Sequence, residues 1–121
     1  NPQDDLLMSL VSGAIGEELA ASFLGFKSVI KDLPDMDGIF EGTITQTPTD
    51  ASALHILCTA LTLRVNEDTR TKELDNLINY SLNLPGEFAV MIIQDLRQRK
   101  IELDHLKSWP LWMKKFNTLL R

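Results

Sequence analysis

The sequence predicts an all-α fold, a compact bundle of five to six helices with one long loop around residues 33–50. Three observations predict it. Apolar residues recur at helical spacing along nearly the whole chain. Acidic or hydroxyl residues precede most of these apolar stretches, as is typical of helix N-termini. Gly and Pro lie between the stretches. Because 121 residues with 44% hydrophobic content suffice for one core, we expect a single helical domain over residues 1–121.

Two helices are predicted before the loop. The first begins near Asp4 and Asp5 and is interrupted by Gly13 and Gly16. The second starts after Gly16 with two glutamates in its first turn. Its buried face is predicted to contain Leu19, Phe23, Phe26 and Ile30.

The loop is predicted from residue 33 to residue 50. It contains Pro34, Gly38, Gly42 and Pro48 and a threonine-rich segment at residues 43–49. One short helical turn is expected around residues 37–40. A strand at residues 43–47 is too short and too polar to predict.

Two helices are predicted directly after the loop. One opens at Thr49 or Asp50, because both are good N-caps. Its inward residues are predicted to be Leu54, Leu57, Leu61 and Val65. The other follows Asp68 or Thr69. It is expected to bury Leu74, Leu77, Ile78 and Leu82.

Two more helices complete the prediction. Residues 85–100 form one, because Pro85 suits a helix start and strong helix formers follow. Its residues 88–93 are apolar on every side, which predicts a position at the centre of the fold. The last helix has Ser108 as its N-cap. The inward residues of that helix are predicted to be Trp112, Phe116 and Leu119 or Leu120.

Charge is unevenly distributed along the chain, whose net charge is −5. Residues 97–121 carry Arg97, Arg99, Lys100, Lys107, Lys114, Lys115 and Arg121 against Glu102 and Asp104. A nucleic-acid-binding domain would use five of these cations, namely Arg97, Arg99, Lys100, Lys114 and Lys115. We do not expect that function, because the sequence reveals no aromatic stacking platform beside them. No apolar run approaches the ~20 residues that span a bilayer, and the single cysteine fits a reducing cytoplasm.

No catalytic, cofactor-binding or metal-binding constellation is expected. The chain has neither a phosphate-binding loop nor a dinucleotide fingerprint. His55 and Cys58 have a ligand-like spacing but lack two further zinc ligands, so Cys58 is predicted in the core and His55 partly exposed. Residues 35–38 resemble part of a calcium-binding loop with Gly38 at its sixth position. Leu33 and Ile44 would then occupy positions that require carboxylates, so a calcium site is not expected. These residues are predicted to lead into a short helix instead.

A surface for a partner protein is the one site that the sequence suggests. Tryptophan is enriched where proteins bind each other. Packing of the last helix on the core is the other interpretation of the two tryptophans. The candidate partner-binding residues are Trp109, Trp112, Lys114 and Lys115.

Several short motifs follow one another along the chain. They are SGAIGEE at residues 12–18, FLGF at 23–26, LPD at 33–35, AL at 53–54 with Leu57, and NLPGEFAV at 83–90 with Asp95. In this order they resemble the C-terminal region of bacterial and phage MoxR-like AAA+ ATPases. In that family a Gly-Glu helix leads to a Leu-Pro-Asp turn, and a Leu-Pro-x-Glu-Phe segment enters a near-final helix.

The resemblance implies a cytoplasmic, chaperone-like parent protein that binds ATP and Mg²⁺ upstream of this region. It implies that the chain is a non-catalytic lid and C-terminal extension without a cofactor of its own. Its partners would be its own ATPase core, neighbouring subunits of a ring and a client protein. The alternative expectations are a free-standing helical interaction or regulatory module and, less favoured, a nucleic-acid-binding helical domain.

Overall fold

A computed structural model describes residues 33–120 of the chain, within which five α-helices, one 3-10 helix and no strand occur. The all-α prediction is confirmed. The helices are α1 (Met36–Glu41), α2 (Ala51–Arg64), α3 (Thr71–Ser81), α4 (Gly86–Gln98) and α5 (Trp109–Phe116), followed by the 3-10 helix Asn117–Leu119. The two helices predicted before the loop lie outside the described residues. Pro34–Arg121 forms one compact unit, and the single domain over residues 1–121 stays a prediction.

The predicted long loop contains the short helix α1. Asp35 is its N-cap, and a carboxylate oxygen of this residue accepts the Asp37 N–H at 3.2 Å. Gly42 ends the helix at a φ of +81°, a conformation that glycine adopts without a steric penalty. The threonine-rich residues 43–49 form neither helix nor strand, as predicted.

Two side chains of α3 hold the α1 region and the loop. The Asn76 amide donates to the Phe40 carbonyl at 2.8 Å. The Tyr80 hydroxyl donates to the Gln46 carbonyl at 2.7 Å. These bonds satisfy two main-chain oxygens and anchor the loop to α3. Within the loop, the N–H groups of Thr43 and Ile44 also donate to the Gly38 carbonyl.

Helix α2 begins where the sequence predicts. The Asp50 carboxylate accepts the Ala53 N–H at 3.0 Å and so caps the helix. The predicted inward residues are all buried, as are Ala53 and Cys58. The buried residues of the predicted stripe are Leu54, Leu57, Leu61 and Val65.

Helix α3 begins later than predicted, because the two candidate caps form the preceding turn. The Asp68 N–H donates to the Asn66 side chain at 2.7 Å, and the Thr69 hydroxyl accepts the Asn66 N–H at 2.9 Å. The N-cap is Arg70, whose N–H donates to the Glu73 carboxylate at 3.3 Å. Of the predicted apolar face, Leu74, Leu77 and Ile78 are buried and Leu82 is half-buried.

Helix α4 lies at the centre of the described residues, as predicted. It contacts α2, α3, α5 and the 3-10 helix. Its buried residues are Ala89, Val90, Ile92, Ile93 and Leu96. At its first residue, Gly86, a Cβ atom would lie 2.7 Å from a Leu119 methyl carbon. Glycine therefore permits the close approach of the chain after α5 to the start of α4.

Helix α5 is fixed to α3 through its N-cap, Ser108. The Ser108 N–H and hydroxyl both donate to one carboxylate oxygen of Asp75, at 2.9 and 2.6 Å. Trp112 and Phe116 are buried, as predicted. Leu119 was predicted as a possible inward residue, but 52% of it is exposed because the helix gives way to the 3-10 turn after Phe116.

Candidate interaction groove

An open groove lies where α4 ends, the chain turns and α5 begins. Its volume is about 550 Å³. The walls include the apolar residues Ile101 and Leu103. The charged and aromatic lining residues are Arg97, Lys100, Glu102, Asp104, His105 and Trp109. We call this the α4–α5 groove.

The backbone at Lys100 is strained. Its N–H donates to the Arg97 carbonyl at 2.9 Å, and the next N–H, of Ile101, donates to the Leu96 carbonyl at 3.0 Å. This is a Schellman motif, whose left-handed position is usually glycine. Lys100 occupies it with a φ of +62°, which costs about 1 kcal/mol for a residue with a Cβ atom. A strained lysine thus lines the groove where glycine would fit at lower energy.

Two stacked indoles form the α5 side of the groove. The rings of Trp109 and Trp112 are parallel within 1°, with centroids 5.4 Å apart. Trp112 is fully buried and also contacts the Phe116 ring, whereas Trp109 is half-buried and lines the groove. Because one face of Trp109 is covered by Trp112, the exposed part of its ring is a rigid surface on which another flat group can stack.

A second concavity adjoins the first between α4 and the end of α5. Its volume is about 670 Å³. Its lining consists of Gln94, Arg97, Gln98, Met113, Asn117 and Leu120. Since Arg97 lines both concavities, the guanidinium lies at their junction.

The four candidate partner-binding residues do not form one surface. Trp109 lines the groove, and Lys114 is exposed on α5. Trp112 is 0% exposed, so its inclusion in a surface is corrected: the helical period turns it toward the core. The Lys115 ammonium donates to the Leu82 carbonyl at 2.6 Å, where it satisfies an oxygen at the end of α3.

The candidate nucleic-acid cations also divide. Arg99 donates to the Val65 carbonyl at 2.8 Å and the Thr62 carbonyl at 2.5 Å, and it pairs with Asp95. The two carbonyls belong to the end of α2. Arg99 therefore satisfies the C-terminus of that helix and is not part of an open surface. Arg97 and Lys100, in contrast, line the groove together with Trp109.

Two buried ionisable groups lie in the core, outside the groove. Burial raises the pKa of the Cys58 thiol from 9.0 to about 12, so the thiol is protonated at neutral pH. Burial, and then the proximity of Cys58, raise the pKa of Tyr80 from 10.0 to about 12. Cys58 is therefore a core residue, as predicted. His55, which was predicted to be partly exposed, belongs to the exposed residues.

Between residues 33 and 120, no three His, Cys, Asp or Glu side chains cluster as metal ligands do. In the same part of the chain, no helix combines the length and the apolarity needed to cross a bilayer.

Comparison with known proteins assigns no family. No protein-family model, curated protein or solved structure matches this chain. The geometry of the groove itself offers two cations, two carboxylates, an imidazole and a stacking surface around apolar walls. The lining thus combines charged, aromatic and apolar groups, as protein interfaces do.

Reasoning from the sequence missed the groove as a unit. Arg97, Lys100 and Trp109 were each noted, but their proximity depends on the turn between α4 and α5. His105, which was not singled out, lines the same groove. The available signal was the run Lys100-Ile101-Glu102-Leu103-Asp104, in which charged and apolar residues alternate directly after a helix.

Proposed function

We propose that this chain is the C-terminal helical region of a MoxR-like AAA+ ATPase and that it transmits the nucleotide state of an upstream core to a partner protein. The ordered series of short motifs at residues 12–18, 23–26, 33–35 and 83–90 carries this proposal. In such a machine ATP and Mg²⁺ bind to the parent core, in the cytoplasm. This region then acts without chemistry of its own, through contacts that differ between two states.

The local structure at two of these motifs supports the proposal. Asp35 of the LPD motif is the N-cap of α1, so a helix starts directly after the motif. Pro85 of the NLPGEFAV motif is the N-cap position of α4, and Glu87 lies in its first turn. Both motifs therefore contain the start signals that the resemblance requires of them.

The contact surface proposed for the core or a neighbouring subunit is the exposed side of α5. Leu111 is 58% exposed, and Lys114 is exposed one turn further along the same helix. An exposed leucine beside a lysine is ordinary on a monomer. On a short helix next to a groove, however, Leu111 is an apolar side chain that a partner would bury.

The test uses the parent protein with surface substitutions in place of a truncation. Removing residues 103–121 would delete Leu103, Leu106, Trp112 and Phe116, all of which are buried, and would unfold the region. We therefore compare Leu111→Asp with Leu63→Asp, a matched change on α2 at a leucine that is 77% exposed. The expected result is altered ATP turnover or subunit assembly for Leu111→Asp and little change for Leu63→Asp.

Two outcomes contradict the proposal. One is unchanged turnover and assembly in Leu111→Asp and in a second variant, Lys114→Glu, when circular dichroism shows native helix content. The other is saturable binding of ATP with Mg²⁺ by the 121-residue chain alone, measured by calorimetry. Because the described residues 33–120 contain no phosphate-binding loop, such binding would require a different function.

A further inference from the structure

A cleft of about 290 Å³ lies between α3 and the chain that leads from α1 into the following loop. We call it the α3–loop cleft. Its lining includes Ile39, Gly42, Ile44 and Thr45 on one side and Tyr80 with three asparagines on the other. We propose that this cleft binds an uncharged, extended segment of a partner protein through the main chain of that segment. This binding is separate from the contact proposed for α5 and requires no nucleotide.

The asparagine side of the cleft has hydrogen-bonding groups without partners. Asn76 and Asn79 lie on α3, and Asn83 lies in the turn directly after it. Asn79 and Asn83 are exposed, and neither side-chain amide hydrogen-bonds to another residue between 33 and 120. The Asn76 amide nitrogen donates to the Phe40 carbonyl at 2.8 Å, so this side chain is held in place and its oxygen remains an acceptor.

The spacing of these amides fits an extended chain. Asn83 follows Asn76 by seven residues, so at a rise of ~1.5 Å per residue the two lie about 10 Å apart along the helix axis. An extended chain covers the same distance in about three residues of ~3.4 Å each. Each peptide unit has one donor and one acceptor, and an asparagine amide offers both. An extended segment can therefore bond to successive amides through its main chain.

The loop side of the cleft also has main-chain groups without partners. Thr45 is exposed, and its N–H and carbonyl bond to no other residue of the described part of the chain. The carbonyl of the next residue, Gln46, accepts the Tyr80 hydroxyl at 2.7 Å, which fixes the loop beside α3 at this point. An extended peptide that is added to an exposed main chain gains hydrogen bonds of this kind. A segment in the cleft would thus find donors and acceptors on both sides.

The lining of the cleft has no charged side chain among the described residues, and this decides the kind of ligand. A nucleic acid would require cations, and a metal ion would require carboxylates or imidazoles. Tyr80 is the aromatic residue of the lining, and at 3% exposure its ring offers no face on which a ligand could stack. Ile39 and Ile44 add apolar surface, against which a small apolar side chain of the segment packs.

The test titrates the 121-residue chain with an uncharged pentapeptide, acetyl-TVTVT-amide, and follows the asparagine side-chain signals in ¹H–¹⁵N NMR spectra. We expect saturable shifts of the signals of Asn79 and Asn83. The affinity should be the same at low and high salt, because no charged group takes part. A peptide with methylated main-chain nitrogens keeps the side chains but loses the donors, and it should bind roughly tenfold more weakly.

Two asparagine variants test the same bonds from the side of the protein. Asn79→Ala and Asn83→Ala each remove an exposed amide, so the midpoint of thermal unfolding should stay close to that of the parent chain. Each should weaken peptide binding roughly fivefold, as expected for the loss of one uncharged hydrogen bond. The matched control Asn117→Ala changes an exposed asparagine outside the cleft and should leave the affinity unchanged.

Three results would overturn the proposal. The first is the absence of saturable shifts at Asn79 and Asn83. The second is an affinity that is the same for the methylated peptide or for both asparagine variants. The third is a larger shift of the same signals with maltotriose, or with a higher concentration of the chain alone, because the cleft would then bind a sugar or a second copy. The measurement needs no ATPase core, so its failure leaves the turnover and assembly test of the proposed function standing, and the reverse holds as well.

Discussion

The corner between α4 and α5 contains two tryptophans and two arginines, and in each pair the two members have opposite roles. Trp112 and Arg99 belong to the structural side: one is fully buried, and the other binds carbonyls at the end of α2. Trp109 and Arg97 belong to the groove. Residue type therefore does not distinguish a groove residue from a packing residue. The partners that surround each side chain make that distinction.

The largest expected effect separates the two tryptophans. Trp112→Ala removes a ring that is 0% exposed and should lower the free energy of unfolding by about 4 kcal/mol. Trp109→Ala removes a half-buried ring and one stacking contact, which should cost roughly 1–2 kcal/mol. Urea denaturation followed by circular dichroism measures both.

If Trp112→Ala does not fold, Trp112→Phe serves as the control. The indole N–H of Trp112 has no hydrogen-bond partner among the described residues, so a phenyl ring loses volume but also removes an unsatisfied donor. We expect a cost below that of Trp112→Ala. Equal costs for Trp109→Ala and Trp112→Ala would show that the two rings are not divided between core and groove.

The second prediction extends the comparison to ionisable groups, since Cys58 and Tyr80 are buried whereas the groove cations are open to solvent. Burial raises the pKa of Cys58 from 9.0 and that of Tyr80 from 10.0, each to about 12. In the unfolded chain both groups lose their protons at lower pH than in the folded chain. The unfolded state therefore binds fewer protons above pH 9, and stability falls as pH rises toward 12.

The expected loss across that window is on the order of 3 kcal/mol. Urea denaturation at a series of pH values measures it. Tyr80→Phe lacks one of the two titrations and also the hydrogen bond to the Gln46 carbonyl. This variant should be less stable at neutral pH by about 1 kcal/mol, yet lose less on the alkaline side. Constant stability from pH 8 to pH 11 in the parent chain would contradict burial of these groups.

The third prediction concerns the contact that holds α5 in place and thereby positions Trp109. Asp75→Ala leaves the Ser108 N–H without its acceptor and leaves the hydroxyl only the main-chain carbonyl of residue 75, at 3.3 Å, and Ser108 is only 2% exposed. The expected cost is about 2 kcal/mol. Ser108→Ala should cost less, because it retains the main-chain donor to Asp75.

A double-mutant cycle decides whether the two residues act together. Combining Asp75→Ala with Ser108→Ala should cost less than the sum of the two single changes, because each removes the same hydrogen bond between the side chains. Additive costs would show that the Asp75 carboxylate is not the acceptor that stabilises the start of α5. Asp75→Asn retains an acceptor oxygen and should lose less than Asp75→Ala.

Much of the fold was predictable because it is encoded locally. Asp50 caps α2 as predicted, and the inward stripe of α2 followed from helical spacing alone. Ser108 is the N-cap residue of α5, but its hydroxyl makes no capping bond and donates to Asp75, 33 residues away. The start of α3 was misplaced because Asp68 and Thr69 are good caps by residue type but bond within the turn. Asp68 and Thr69 can thus either cap a helix or bond within a turn, and the sequence does not show which of the two the chain adopts.

The division of the basic residues was less predictable because it depends on contacts distant in sequence. The partners of Arg99 lie 34 and 37 residues away on the chain, and no local pattern reveals them. The same holds for Lys115 and Leu82, which are separated by 33 residues. The groove itself is lined by residues between 97 and 109, and the sequence does not show which basic side chains of that segment bind distant carbonyls.

The smallest expected effect tests that division of the arginines directly. Arg99→Met keeps an unbranched apolar stem but loses the donors to the Val65 and Thr62 carbonyls. Since its side chain is 38% exposed, water replaces part of what is lost, and we expect a cost of about 1 kcal/mol. Arg97→Met, which changes the residue shared by both concavities, should alter stability by no more than about 0.5 kcal/mol.

Urea denaturation followed by circular dichroism measures both costs. The two variants remove the same charge from positions two residues apart, so an effect of net charge alone would change both stabilities equally. Equal costs would therefore contradict the assignment of Arg99 to the end of α2, where its guanidinium binds two carbonyls.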